Sequence, residues 1–162
     1  MKKTKIISAF PACGKTYAFK KLNEKGYKIL DSDSSQFSWC YDYDPTNSDK
    51  IEKYRNPEFP SNYIQHIKEN IGKADYIFVS SHKEARDALI ENGIYFTLVY
   101  PDRSMKAEWI GRLFLRGSGE NSVSLLQIIG IVGLMRWKKL SATNGFLEIK
   151  NQSTNFITLV NW

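Results

Sequence analysis

The string Ala9-Phe10-Pro11-Ala12-Cys13-Gly14-Lys15-Thr16 sets a lysine and a hydroxyl directly behind a glycine, at the end of a short apolar run. Each type has a separate task in gripping a polyanion. The glycine permits a backbone turn that aims successive N–H groups of Ala12, Cys13 and Gly14 at one point, and a helix starting at Lys15 adds its N-terminal dipole. The lysine carries a full charge to the outer phosphates of a nucleotide, and the threonine hydroxyl is a ligand for Mg2+. The pattern is alanine or glycine, four residues of any type, then Gly-Lys-Ser/Thr. At average composition it arises by chance in a chain of this length with odds on the order of one per cent. Its place between a predicted strand and a predicted helix supplies the context the chemistry needs. ATP and Mg2+ are the expected ligands, with Ala12, Cys13, Gly14, Lys15 and Thr16 around the phosphates and Thr16 on the metal.

Two carboxylates follow that can join this loop. Asp31 and Asp33 stand two apart at the end of the second predicted strand, so an extended backbone sends both side chains to one face. In an open parallel sheet the carboxyl ends of the strands line the ligand crevice. Asp33 is read as the acceptor-side base and Asp31 as a partner of the metal, an order the sequence leaves reversible. The same pair is also what an Asx turn closing a strand looks like. No switch or base-reading motif of a GTPase occurs. The third predicted strand ends Ser80-Ser81-His82, without the carboxylate of a mechanical ATPase. What remains is a small-molecule kinase, in which positioning and charge neutralisation do most of the catalysis.

These side chains need strands and helices to hold them. Apolar runs predict strands over residues 5–10, 27–30, 76–80 and 95–100, and helical spacing predicts helices over 15–25, 82–92 and from about 104. Gly26 and Gly93 stop the first two helices. The polar, aromatic stretch 34–73, broken by Pro45, Pro57 and Pro60, predicts a helical excursion with one clear helix near 61–71. Its Phe37, Trp39, Tyr41, Tyr43 and Tyr54 offer flat surfaces for a base, or ordinary core. Arg55 with Asn56 and Pro57 offers a polar hold on the acceptor. His82 falls at the predicted crevice, within reach of substrate, and His66 on the surface. The fold expected is α/β: a P-loop NTPase three-layer α/β/α sandwich with a mainly parallel sheet and a helical acceptor-binding insert.

Composition agrees with one globular domain: 162 residues, 42% hydrophobic and 25% charged. The net charge of +6 suits nucleotides or nucleic acid, and equally a solubilising lysine surface. Two cysteines give neither a disulfide framework nor metal spacing. Lysines precede the first apolar run, but that run is shorter than the roughly 7–15 residues of a signal peptide. A cytoplasmic enzyme with no membrane partner is the expectation.

In its phosphate loop, in Asp31-Ser32-Asp33-Ser34, and in residues 79–89 and 97–118, the chain resembles the gluconate/shikimate/adenylate kinase-like superfamily of P-loop kinases. Within that superfamily it looks most like the small nucleoside or nucleotide kinase-like proteins of bacteria and phages. The likeness spans roughly residues 4–120, and the phosphate loop is its most specific part. It implies transfer of a phosphoryl group from ATP, with Mg2+, to a small acceptor, a nucleoside or nucleotide. The gluconate kinase group similarly ends this strand in serines before an arginine-containing helix. On that pattern Arg86 would contact the acceptor or its phosphate. Arg112 and Arg116 would be lid arginines closing on the ATP phosphates, and their i, i+4 spacing puts them on one helical face. Gly117-Ser118-Gly119 then reads as a hinge. Residues 1–121 form the kinase core, with the acceptor insert at 34–73 and the lid at 103–119. Three other readings stay open: a sugar or small-metabolite kinase of gluconate kinase type, a non-catalytic ATP-binding regulatory module, and a nucleic-acid kinase.

Residues 122–162 are unlike the rest. The run 122–135 carries no charge and no amphipathic period, yet is short of the about 20 residues that span a bilayer. Back-translated one nucleotide earlier, it permits a string that mixes apolar and carboxylate residues at helical spacing, as a final kinase helix should. A frameshifted tail is therefore the expectation there, and no function is placed after Gly119.

Overall fold

A computed structural model describes residues 3–43, 51–101, 105–115 and 146–149. β1 (Lys5–Ala9) is buried at every position after Lys5, the pattern of a strand flanked on both edges and covered on both faces. β5 (Tyr76–Val79) is buried throughout, and β6 (Thr97–Pro101) is buried after Thr97. With β2 (Ile29–Ser32) and β7 (Phe146–Ile149) they form one sheet in the order β2-β5-β1-β6-β7, every neighbouring pair parallel. Parallel neighbours need long crossovers, and helices supply them. α1 (Lys15–Glu24) links β1 to β2, α3 (Ser61–Asn70) leads into β5, α4 (Lys83–Glu91) leads into β6, and α5 (Lys106–Leu115) follows β6. This is the α/β fold with a mainly parallel sheet that the sequence predicts.

Each helix turns an apolar stripe to the sheet. Ala18 and Leu22 of α1, Ile64 and Ile67 of α3, Ala85 and Leu89 of α4, and Trp109 and Leu113 of α5 are all buried with the strands in one core. Gly26 and Gly93 end α1 and α4 with φ of 82° and 64°, values that cost a side-chain-bearing residue strain. β6 begins at Thr97 rather than at residue 95; Tyr95 is 70% exposed and belongs to the approach.

The insert departs from expectation. Only a short α2 (Ser35–Ser38) and α3 are helical, and between them β3 (Trp39–Tyr43) and β4 (Ile51–Arg55) pair antiparallel as a separate two-stranded ribbon. The reason lies in residue type. Trp39, Tyr41 and Tyr43 alternate with Cys40 and Asp42, a period of two filled with strand-favouring rings. β7 lies in the segment 122–162; the remainder of that segment is outside the described residues, as are residues 103–104 and 116–119 of the expected lid, Arg116 among them. Among the described residues no helix is long and apolar enough to cross a membrane.

Candidate active site

The phosphate loop leaves β1 at Ala9. Phe10 N–H donates to Val99 O at 3.0 Å and Cys13 N–H to Phe10 O at 3.2 Å, which fixes the loop over the end of β6. Ala12 and Gly14 both take positive φ, 61° and 91°. Gly14 occupies the N-cap position of α1 and has no side chain to cap it, and the helix's first turn holds no acidic residue. Its leading N–H groups thus remain available to an anion. Cys13 is buried, and burial pushes its thiol up to about 12, against a small opposing effect of the Arg112 charge. Its thiol is therefore protonated at neutral pH.

Lys15 Nζ lies 2.9 Å from Asp31 Oδ1, with the two side chains 24% and 40% exposed. Asp31 reaches the loop because β2 pairs with β5, whose other neighbour is β1. Two residues on, Asp33 Oδ1 accepts the Ser35 N–H at 2.9 Å and lies 3.5 Å from the Ser80 hydroxyl. Partial burial pulls the Asp33 pKa upward. The hydrogen bonds from Ser35 and the charges of Lys15 and His82 outweigh that pull and hold the carboxyl below its ordinary value. Asp33 thus closes an Asx turn onto the start of α2 while its carboxylate stays within the reach of the Lys15 and His82 charges.

A group of hydroxyls that sequence reasoning missed holds this carboxylate in place. Tyr63, fully buried on α3, donates its phenol to Ser32 O at 2.9 Å and accepts the Ser80 N–H at 3.1 Å. The Ser80 hydroxyl accepts the Ser34 N–H at 2.8 Å, and Ser8 of β1 donates to Ser80 O at 3.2 Å. Three strand ends and one helix meet on Ser80. Where a mechanical ATPase would place a metal-binding carboxylate, this chain has a buried serine that locks the β2–α2 turn.

Arg112 also comes to the loop. Trp109 donates its indole N–H to Pro11 O at 2.8 Å and meets Phe10 edge to face at 6.1 Å, which seats α5 on the phosphate loop. Arg112, one turn on, is hydrogen-bonded to Glu108 and lines a small cavity with Ala12, Cys13, Pro101, Met105 and Trp109. Its expected companion Arg116 lies outside the described residues.

The acceptor-side predictions divide. His82 precedes α4 with an exposed ring, close enough for its charge to act on Asp33. Arg86, in the first turns of α4, is only 8% exposed, and desolvation brings its pKa down to about 10, so it keeps its charge at neutral pH. Phe37 does not present a free surface: it packs on Tyr63 at 5.3 Å and on His66 at 4.7 Å, and its carbonyl accepts both Asn56 and Asn62 amides. His66 is accordingly half-buried rather than on the surface. Trp39 and Arg55 face each other across the ribbon, and Arg55 forms an ion pair with Glu84 of α4, a partner no local pattern announces. Asn56 is absorbed in holding the ribbon's base to α2.

These residues fit a nucleoside triphosphate with its magnesium. The loop offers uncapped N–H groups and a lysine, and Thr16 and Asp31 are hard oxygen donors. Among the described residues no cluster of three or more potential ligands would hold a metal alone. Mg2+ does not need one, since it keeps waters and takes substrate phosphates as partners.

No protein-family model and no curated protein sequence matches the chain. Among solved structures, it is similar to a gluconokinase from Sinorhizobium meliloti 1021, at 15% identity and a TM-score of 0.50, covering 97% of this chain and 88% of that one. The likeness is one of fold: this chain shares the α/β architecture of that gluconokinase.

Proposed function

We propose that the chain is an ATP-dependent phosphotransferase acting on a small acceptor, a nucleoside or nucleotide. The observation that carries this reading is the convergence of Lys15, Asp31 and Asp33 at the adjoining ends of β1, β2 and β5. A loop that only bound nucleotide would not need a second carboxylate fixed beside its lysine.

Bound Mg2+ would supply charge neutralisation between the outer phosphates, held by Thr16 and, through its waters, by Asp31. Lys15 exchanges Asp31 for a phosphate oxygen, and the N–H groups of Ala12–Gly14 and α1 take the others. Arg112 adds a second cation from the α5 side. Asp33 accepts the acceptor's hydroxyl proton in a hydrogen bond and aims the oxygen in line. The acceptor oxygen bonds to the γ-phosphorus as the bond to the β–γ bridging oxygen breaks, giving ADP and a phosphorylated acceptor, and the hydroxyl proton leaves by way of Asp33. A carboxylate held below its ordinary pKa is a weak base but a steady acceptor, which suits a loose transition state in which little proton transfer is needed early. His82 and Arg86 stand on the acceptor side of Asp33.

The test is ADP release against a panel of nucleosides, nucleotides and sugars. Acceptor-stimulated release lost in both Lys15→Ala and Asp33→Ala supports a kinase and identifies its acceptor. ATP binding with no stimulation by any acceptor favours a nucleotide sensor instead. A sugar-kinase reading draws on the gluconokinase neighbour and on the serine-ended β5, and stimulation by a sugar acid alone would favour it.

A further inference from the structure

The β3–β4 ribbon separates two chemistries by face. In the antiparallel register Trp39 stands opposite Arg55 and Tyr41 opposite Lys53, while Cys40 stands opposite Tyr54. Alternation therefore puts Trp39, Tyr41, Lys53 and Arg55 on one face, and Cys40, Asp42 and Tyr54 on the other. On the first face the cations lie over the rings. Lys53 Nζ is 4.4 Å from the Trp39 ring centre and 5.8 Å from that of Tyr41, and the Arg55 guanidinium is 5.4 Å from Trp39 and 4.5 Å from Phe59. On the second face the Asp42 carboxylate beside Tyr54 pushes its phenol above the ordinary range, so that face is the negative one.

This ladder is not core. Tyr41 is 53% exposed, Trp39 is half-buried, and the side chain of Arg55 is 44% exposed. Its position is specific: the ribbon starts directly after α2, whose first residue Ser35 donates its N–H to Asp33, and Arg55 ties it to α4 through Glu84. A lone nucleoside held at Asp33 leaves the outer half of the ribbon unused. Trp39 and Tyr41, two residues apart on one strand, are about 7 Å from each other, so each ring can take a separate base. Aromatic rings interleaved with cations on an exposed sheet surface bind single strands by stacking the bases and pairing the phosphates.

We infer that the Trp39/Tyr41/Lys53/Arg55 face of the ribbon is a binding surface for single-stranded nucleic acid, leading the strand's end toward Asp33. Bases stack on Trp39 and Tyr41, and Lys53 and Arg55 move from the rings to the phosphates. Only the destination of the strand rests on the kinase reading above; the binding itself does not.

The experiment is fluorescence anisotropy of a labelled oligothymidylate of about ten nucleotides, within the usual site size of single-strand binders. It uses the whole chain without ATP, across a salt series. Tyr41→Ala is expected to weaken binding about tenfold through the lost stacking. Lys53→Gln is expected to reduce the slope of log affinity against log salt by about 0.7, one phosphate contact on a single strand. Tyr54→Ala, on the opposite face, is expected to leave affinity within a factor of about two, and Lys15→Ala is expected to bind the oligonucleotide as wild type does while losing ATP. Equal losses for Tyr41→Ala and Tyr54→Ala, an unchanged salt slope in Lys53→Gln, or competition by polyglutamate as strong as by unlabelled oligonucleotide would each overturn the inference. So would competition by thymidine monophosphate as strong, per nucleotide, as by the oligomer. Failure of acceptor-stimulated turnover with oligonucleotide binding intact would sink the kinase reading and leave the ribbon's role standing.

Discussion

Lys15 pairs with Asp31 at 2.9 Å, and both side chains are partly exposed to water. Such a pair is worth about 0–1 kcal/mol, small enough for a phosphate to displace. Asp31→Asn is therefore expected to raise affinity for ATP without magnesium by no more than about fivefold, while turnover with magnesium falls; titration of a fluorescent ATP analogue with and without the metal checks it. Asp33 makes a pH prediction. Its carboxyl is held below its unfolded value, so the stability it contributes is complete above that value, about 3.9, and is lost as pH falls through the lower folded one. Acceptor-dependent turnover should accordingly show no acid-side loss from Asp33 between neutrality and about pH 4.5, and an acid limb with a midpoint above 5 would contradict its assignment. Ala12 makes a third. A left-handed alanine costs roughly 1–2 kcal/mol, more than the about 0.5–1 kcal/mol of chain entropy that glycine adds. Ala12→Gly should thus raise Tm slightly, by about 2–4 °C, and leave ATP binding intact. That Lys15, Asp31 and Asp33 would lie together was legible in the sequence, because a glycine turn after one strand and a pair of carboxylates ending the next are local patterns. The roles of Tyr63 and Glu84, and the bonds made by the Ser80 already noted at the end of its strand, were not: each acts through a partner distant in the chain.

At the scale of elements, the ends of β2 and β5 are joined through the Tyr63 phenol, not through the sheet alone. Tyr63→Phe keeps the ring and its packing but strands a buried carbonyl and a buried N–H, which costs about 1–3 kcal/mol. Because the same bonds fix the turn that carries Asp33, the variant is expected to lose kcat by a larger factor than it loses affinity for ATP. A Tm shift with unchanged kcat would make Tyr63 a stability residue alone. The alternation of strands and helices along the core was readable from apolar runs and from stops at Gly26 and Gly93. The ribbon was misread. A helical excursion was expected there and holds for α3 at Ser61–Asn70, yet the rings at 39, 41 and 43 carry the strand period. What holds the ribbon is contact between its strands, the cations of one over the rings of the other, and that pairing has no signature along the chain.

For the molecule as a whole, the sheet order sets the carboxyl ends of β1, β2 and β5 side by side, so one rim holds the phosphate loop, both carboxylates and the base of the ribbon. The net charge of +6 gains a local meaning where Lys53 and Arg55 share one face of that ribbon. The shifted-frame proposal for residues 122–162 belongs at this scale and is decided by the gene: a stop codon in the frame one nucleotide earlier, just after Asn121, would end it. The central claim is that this rim moves a phosphoryl group. The most direct measurement is transfer of label from γ-32P-ATP to a panel of nucleosides and nucleotides by the wild-type chain, Lys15→Ala and Asp33→Ala. Wild type is expected to give a labelled acceptor, and either variant none above background. Label released only as inorganic phosphate, or transfer undiminished in Asp33→Ala, would contradict it.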